Sequence, residues 1–124
     1  MPNLPLISVV DDDVSVRESL QGLIRSAGFG VMVFASAEGF LNSDHVPDTD
    51  CLIVDVRMPG MNGLELQCRL AASHDETPII FITAHGSNEE LRSQALRNGA
   101  VAYLVKPFSE EALLNAIRVA LNSK

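Results

Sequence analysis

Five times along its 124 residues the chain passes from a short apolar run to a longer amphipathic segment. That alternation narrows the possible folds more than any other feature. The apolar runs are Leu6–Val10, Val31–Phe34, Leu52–Asp55, Ile79–Thr83 and Ala102–Val105. The first, third and fourth are nearly uniformly apolar, as strands covered on both faces must be. Between them, apolar residues recur at helical spacing. Val16, Leu20, Leu23, Ile24 and Ala27 form one stripe, and Gly28 is placed to end that helix in the left-handed region. Ser36 can cap a short second helix, and Leu64, Cys68 and Ala71 trace one face of a third. Ser87-Asn-Glu-Glu90 reads as a capping box for a fourth, closed by Gly99. Ser109-Glu-Glu111 opens a fifth, with Leu113, Ile117 and Leu121 as its buried stripe. Five strand–helix units joined by right-handed crossovers predict an α/β fold, a (βα)5 doubly wound parallel five-stranded sheet.

Size and charge bound the rest. The chain is long enough for one domain with one core, and its hydrophobic content of 47% supports that core. A single domain over residues 1–124 is expected, with any C-terminal output domain outside this chain. The formal charge of −7, with no run of Lys or Arg, argues against a domain that grips nucleic acid by itself. No apolar stretch approaches the roughly 20 residues of a membrane span, and Met1-Pro-Asn-Leu-Pro5 lacks the basic start of a secretory signal. A cytoplasmic location is expected. Cys51 and Cys68 show no metal or redox spacing, so both are expected as small core residues. Asn42–Asp50 is polar and is expected as a surface connection.

In a doubly wound sheet, ligands sit beyond the carboxyl ends of the strands. The residues that fall there are Asp11, Asp12, Asp13, Asp55, Thr83 and Lys106. Carboxylates gathered in one crevice repel one another unless a cation neutralises them, and a hard divalent ion such as Mg²⁺ or Mn²⁺ suits an all-oxygen donor set. Asp55 precedes a turn rich in Pro and Gly, Val56-Arg-Met-Pro-Gly-Met-Asn-Gly63, which would hold its carboxylate at the mouth of the sheet. Such a carboxylate can act as a nucleophile toward a phosphoryl group. Lys106 is the only internal lysine and can pair with phosphoryl oxygens as a point charge, while Thr83 offers a hydroxyl. The Lys106–Pro107 bond is a candidate for the cis form, which would aim the ammonium into the crevice.

These pieces together resemble a receiver domain of a two-component response regulator, of the CheY-like kind. The matching segments are Val9-Val-Asp-Asp-Asp13, Ile53-Val-Asp-Val-Arg-Met-Pro-Gly-Met-Asn-Gly-Leu-Glu65, Ile82-Thr-Ala-His-Gly86 and Gly99-Ala-Val-Ala-Tyr-Leu-Val-Lys-Pro-Phe108. Thr83-Ala-His-Gly86 and Ser36-Ala-Glu-Gly-Phe-Leu41 resemble the FixJ/NarL-like branch. The resemblance implies strand order 2-1-3-4-5 and a role for each matched residue. Asp55 would be the phosphoacceptor. Asp12 would bind Mg²⁺ directly, Asp11 would help hold it through water, and Arg57 would offer its backbone carbonyl. Lys106 would pair with the phosphoryl group, and Thr83 and Tyr103 would form a switch pair in which an exposed ring turns inward. The implied phosphoryl donor is a histidine kinase or a small donor such as acetyl phosphate. The implied output is a changed face on the fourth helix, fifth strand and fifth helix, with phosphorylation-dependent homodimerisation there and control of a transcriptional output domain. The domain would be a switch rather than an enzyme, although it would support its own phosphotransfer and slow autodephosphorylation.

Plainer readings stand beside these. Asp13 is expected as the N-cap of the first helix rather than a metal ligand. His45 and His74 are expected in solvent, and Met58 and Met61 as gap fillers. His85 has two open readings, a rim residue or a contact to the phosphoryl group. A flavin-binding protein of the same topology would need a phosphate-cradling loop after the first strand. Three carboxylates occupy that place here. A stand-alone phosphate shuttle is not separated by sequence from a regulator with an output domain.

Overall fold

The computed structural model of the protein describes residues 4–84 and 89–122. Its elements run β1 (Leu6–Val10), α1 (Val14–Ser26), β2 (Gly30–Phe34), α2 (Ala37–Leu41), β3 (Cys51–Asp55), α3 (Gly63–Ala72), β4 (Ile79–Thr83), α4 (Glu89–Arg97), β5 (Ala102–Val105) and α5 (Glu110–Asn122). All strand pairs are parallel, in the order β2-β1-β3-β4-β5. Three strands lie where the apolar runs placed them, and β2 and β3 each begin one residue earlier. The chain leaves β1 toward opposite edges of the sheet, so the switch point lies between β1 and β3, where such folds open a crevice.

Alternation along the strands divides the apolar side chains between two layers. Ile7, Val9, Ile53, Ile80 and Ile82 face Leu20 and Ile24 of α1 and Leu113 and Ile117 of α5. Val10, Leu52, Val54 and Phe81 face Phe40 of α2, Leu66 and Leu70 of α3, and Ala95 of α4. β3 and β4 are buried throughout, whereas edge strand β2 is only half-buried. Truncating an interior isoleucine such as Ile53 or Ile80 to Ala would cost about 2–5 kcal/mol, because the packed neighbours cannot close the gap.

The helix ends follow the expected chemistry. Asp13 caps α1 through Ser15 N, and Ser36 caps α2 through Gly39 N. Asn62 and Glu65 form a reciprocal capping box on α3. Gly28 and Gly99 take positive φ just past α1 and α4. The expected capping box at Ser87 lies outside the described residues in part, as do His85 and Gly86.

Five expectations are corrected. The buried face of α3 carries Leu64, Leu66, Gln67 and Leu70, while Cys68 and Ala71 are exposed. Cys51 is a core residue, but Cys68 is not. Gln67 displaces Cys68 from the interior because its Nε2 donates to Ala95 O (3.2 Å) and Asn98 O (3.4 Å), tying α3 to the end of α4. The connection 42–50 is not merely superficial. Thr49 is buried, its Oγ1 donating to His45 O and meeting Ser8 Oγ, each at 2.7 Å. His45 is half-buried against Phe34, with ring centroids 6.4 Å apart. On α5, Ala116 and Ala120 complete the buried stripe, and Leu121 is half-buried.

Candidate functional site

The carboxyl ends of β1 and β3 bring two acids together at the switch point. Asp11 follows the last residue of β1 and is fully buried. Its N–H donates to Phe34 O at 3.1 Å, which continues the β1–β2 ladder by one bond. Its Oδ1 accepts the Asp13 N–H at 2.9 Å, and its carbonyl accepts Arg17 Nη1 at 2.8 Å. Asp55 is the last residue of β3 and is 7% exposed. Its Oδ1 accepts the Arg57 N–H at 3.1 Å. Asp12 is exposed between them, and Asp13 is turned away to cap α1. One oxygen each from Asp11, Asp12 and Asp55 lies within 4.8 Å of the others.

Lys106 reaches this group from the end of β5. Its Nζ donates to Asp11 Oδ2 at 3.0 Å and lies 3.5 Å from Asp55 Oδ2. The Lys106–Pro107 bond is cis. Lys106 N also donates to Thr83 O at 2.7 Å, which ties the ends of β4 and β5 together. Thr83 is buried at the end of β4.

The charges are not balanced. Burial pushes the Asp55 carboxyl above its ordinary value, the Asp11 charge pushes the same way, and the Arg57 N–H and Lys106 oppose both. Burial works against the Lys106 ammonium, but its bond to Asp11 and the charges of both acids outweigh that and hold it above its ordinary value. The lysine is therefore firmly charged and closest to Asp11, which leaves Asp55 under-compensated. A hard divalent cation fits that deficit, since every donor is oxygen and the carboxylates already converge.

The loop between β3 and α3 holds Asp55 at the rim. Gly63 is indispensable to its close return. A Cβ there would lie 2.5 Å from Asp55 O and 3.1 Å from Phe81 Cε1. Gly63 N donates to Val56 O at 3.0 Å. Met58 is buried in the core beneath the loop and Met61 packs partly against it, as gap fillers do.

Tyr103 pairs in register with Phe81 on β4, their ring centroids 6.4 Å apart. Alternation puts Thr83, two residues on from Phe81, on the same side of the sheet. The expected exposed ring is corrected here. The Tyr103 hydroxyl is buried and finds no hydrogen-bond partner among the described residues. Packing on Phe81 and the apolar layer beneath draws the ring in.

A profile of the response regulator receiver domain matches residues 7–118. The chain belongs to that family. It is 47% identical over 116 residues to the response regulator protein TmoT of Ectopseudomonas mendocina, covering 94% of this chain and 52% of TmoT. It is 42% identical over 115 residues to the transcriptional regulatory protein FixJ of Bradyrhizobium diazoefficiens, covering 93% and 56%. This receiver domain thus spans about half the length of the curated relatives it matches. Among solved structures, response regulator StyR superposes with a TM-score of 0.89 at 49% identity, covering 97% of this chain and 60% of that one. FixJ-N superposes at 0.87 with 35% identity, covering 100% and 98%. The fold class and the resemblance to two-component regulators of the FixJ kind are thereby established.

Sequence reasoning missed two residues at the receiver site, Arg17 and Glu38, and a third, Gln67, that ties α3 to the end of α4. Arg17 lies one helical turn after Asp13, a spacing that could have pointed it back at the β1 end. Glu38 reaches the loop after Asp55 from another element, and nothing local marks it. Gln67 was passed over because a glutamine on an apolar face looks misplaced until its acceptors on α4 are seen.

Proposed function

We propose that this receiver domain is a Mg²⁺-dependent phosphoacceptor switch in two-component signalling, with Asp55 as the acceptor. The observation that carries this reading is the convergence of Asp11, Asp12 and Asp55 oxygens within 4.8 Å beside Lys106. An Asp55 oxygen would attack the phosphorus of a histidine kinase phosphohistidine. A P–O bond forms, the P–N bond breaks, and the imidazole leaves with the electron pair. Asp12 and Asp55 would bind Mg²⁺ or Mn²⁺ directly, with Asp11 behind them and the Arg57 carbonyl beside. The cation would neutralise charge on the phosphoryl oxygens as the transfer proceeds. Lys106, held by Asp11, would pair with one phosphoryl oxygen, and the Thr83 hydroxyl would donate to another.

With Tyr103 already turned inward, phosphorylation would hold it there by drawing Thr83 toward Asp55. The α4–β5–α5 face would then differ between the two states and offer a homodimer contact. A shift from mostly inactive to mostly active needs a differential of about 3–5 kcal/mol, within reach of two new charge-assisted contacts. The length of the relatives supports an attached output domain that acts on transcription. The acidic balance supports a receiver that does not itself bind nucleic acid. No described helix is long and apolar enough to cross a membrane, and a cytoplasmic setting suits the kinase partner.

Intact-mass measurement after acetyl phosphate treatment tests the acceptor. Wild type should gain one phosphoryl group with Mg²⁺ and none with chelator, and Asp55→Asn should gain none. Equal labelling of Asp55→Asn would refute the assignment.

A further inference from the structure

Glu38 belongs to α2, remote in sequence from the acidic crevice, yet its carboxylate reaches the loop that leads away from Asp55. Its Oε2 accepts the Met61 N–H at 3.1 Å. The loop is shaped to receive it. Gly60 has φ +74, a conformation that favours glycine, and a Cβ on Gly60 would lie 2.7 Å from that same oxygen. Glu38 also accepts its own backbone N–H, and these two donors hold its carboxyl below the ordinary value. The acid is thus ionised at neutral pH, and its bond to Met61 is charge-assisted.

Three anchors fix the segment 56–63. Gly63 N bonds Val56 O and closes the loop at its base. Met58 is buried in the core below. Glu38 holds the tip from α2, while Asp55 at the end of β3 accepts the Arg57 N–H and Glu65 of α3 accepts the Asn62 N–H at the two ends of the segment. The Arg57 N–H is held by Asp55 Oδ1 at 3.1 Å, so the Arg57–Met58 peptide lies between that bond and the tip that Glu38 holds.

We propose that Glu38 is a positioning residue for the metal site: by holding Met61, it fixes the loop so that the Arg57 carbonyl and Asp55 present oxygens to the cation. This rests on the phosphoacceptor reading above. Glu38 touches neither metal nor phosphoryl group and acts only through the loop.

The test is Mg²⁺ titration of the 124-residue chain, followed by amide chemical shifts, in wild type, Glu38→Ala and Glu38→Gln. Hydrogen exchange at Met61 and melting curves are recorded without metal. Glu38 is exposed, so both variants should fold with melting points near wild type. Glu38→Ala should expose the Met61 amide to exchange and weaken Mg²⁺ binding by roughly three- to tenfold, the scale of one such hydrogen bond. Glu38→Gln keeps an acceptor and should recover most of that affinity. Wild-type Mg²⁺ affinity in Glu38→Ala overturns the assignment of Glu38 alone. So does a loss that tracks a lowered melting point and is not rescued by Gln. A wild-type chain that takes up no Mg²⁺ overturns the reading of the acidic site itself, and this assignment with it.

Discussion

The two ends of the sheet bury polar groups in opposite ways. Toward the end where the strands begin, the buried hydroxyls of Ser8 and Thr49 find partners inside the chain, and only the Gln67 Oε1 is left without one among the described residues. Leu6 N donates to Asp50 Oδ2 at 2.8 Å, and Ser8, Thr49 and the His45 carbonyl form a continuous chain of 2.7 Å bonds. At the end where the strands finish, two buried carboxylates share one partly exposed ammonium, and Asp55 is left short of positive charge. The first arrangement adds rigidity. The second leaves an electrostatic imbalance that a bound cation would relieve. A close-packed fold tolerates that imbalance only because the apolar layers on both faces supply the stability it costs.

The largest test of this contrast removes the shared cation. Lys106→Met in the presence of chelator should lower unfolding free energy in urea at neutral pH by about 1–3 kcal/mol, less than for a fully buried pair because Lys106 is partly in water. Unchanged stability would mean that Lys106 does not offset the two acids, and the contrast between the sheet ends would lose its basis.

A pair of variants with opposite signs sharpens it. Thr49→Val keeps the shape but leaves the Ser8 hydroxyl without its partner and the His45 carbonyl with the Asp48 N–H alone, at a cost of about 1–2 kcal/mol. Asp55→Asn removes one of two repelling charges and should stabilise the metal-free fold by about 1 kcal/mol while abolishing phosphorylation. Both are read from the same urea curves. If both variants destabilise, the crevice is as well satisfied as the opposite end.

The sheet was legible because its evidence is local. Ile79–Thr83 is apolar at every position but its last, and a strand buried on both faces leaves few other readings. The crevice was legible for a related reason: in a parallel sheet the strands finish at one edge, so locating the strands places Asp55, Thr83 and Lys106 at that edge. Where the reading failed, the deciding interaction was long-range. Hydrophobicity put Cys68 inside α3, but Gln67 is the residue that turns in, its Nε2 reaching two carbonyls near the end of α4. Polarity put 42–50 on the surface, but Ser8 in the middle of β1 needed a partner, and Thr49 supplies it. Glu38 and Met61 lie 23 residues apart, and only the folded chain makes them neighbours.

The smallest expected effect concerns Tyr103, whose buried hydroxyl stands near the crevice end of the sheet with no partner among the described residues. It is the opposite of Thr49, whose hydroxyl is fully used. Tyr103→Phe should therefore be neutral or stabilising by up to about 1 kcal/mol at neutral pH, because it removes a polar group that burial has stripped of water. Alkaline pH gives a second measure. Burial pushes the Tyr103 phenol above its ordinary value, and the nearby Arg57 and Arg92 charges only partly offset that. The folded chain then keeps the phenolic proton where the unfolded chain has lost it. The tyrosine's contribution to stability is full below the ordinary value of about 10 and falls as pH rises through the folded one. The stability gap between wild type and Tyr103→Phe should widen in favour of Phe over that window. Tyr103 is the only tyrosine and the chain has no tryptophan, so phenolate absorbance reports this one group. Titration at the ordinary value, with a gap that does not change through alkaline pH, would place the hydroxyl in water and remove the inward ring from the switch.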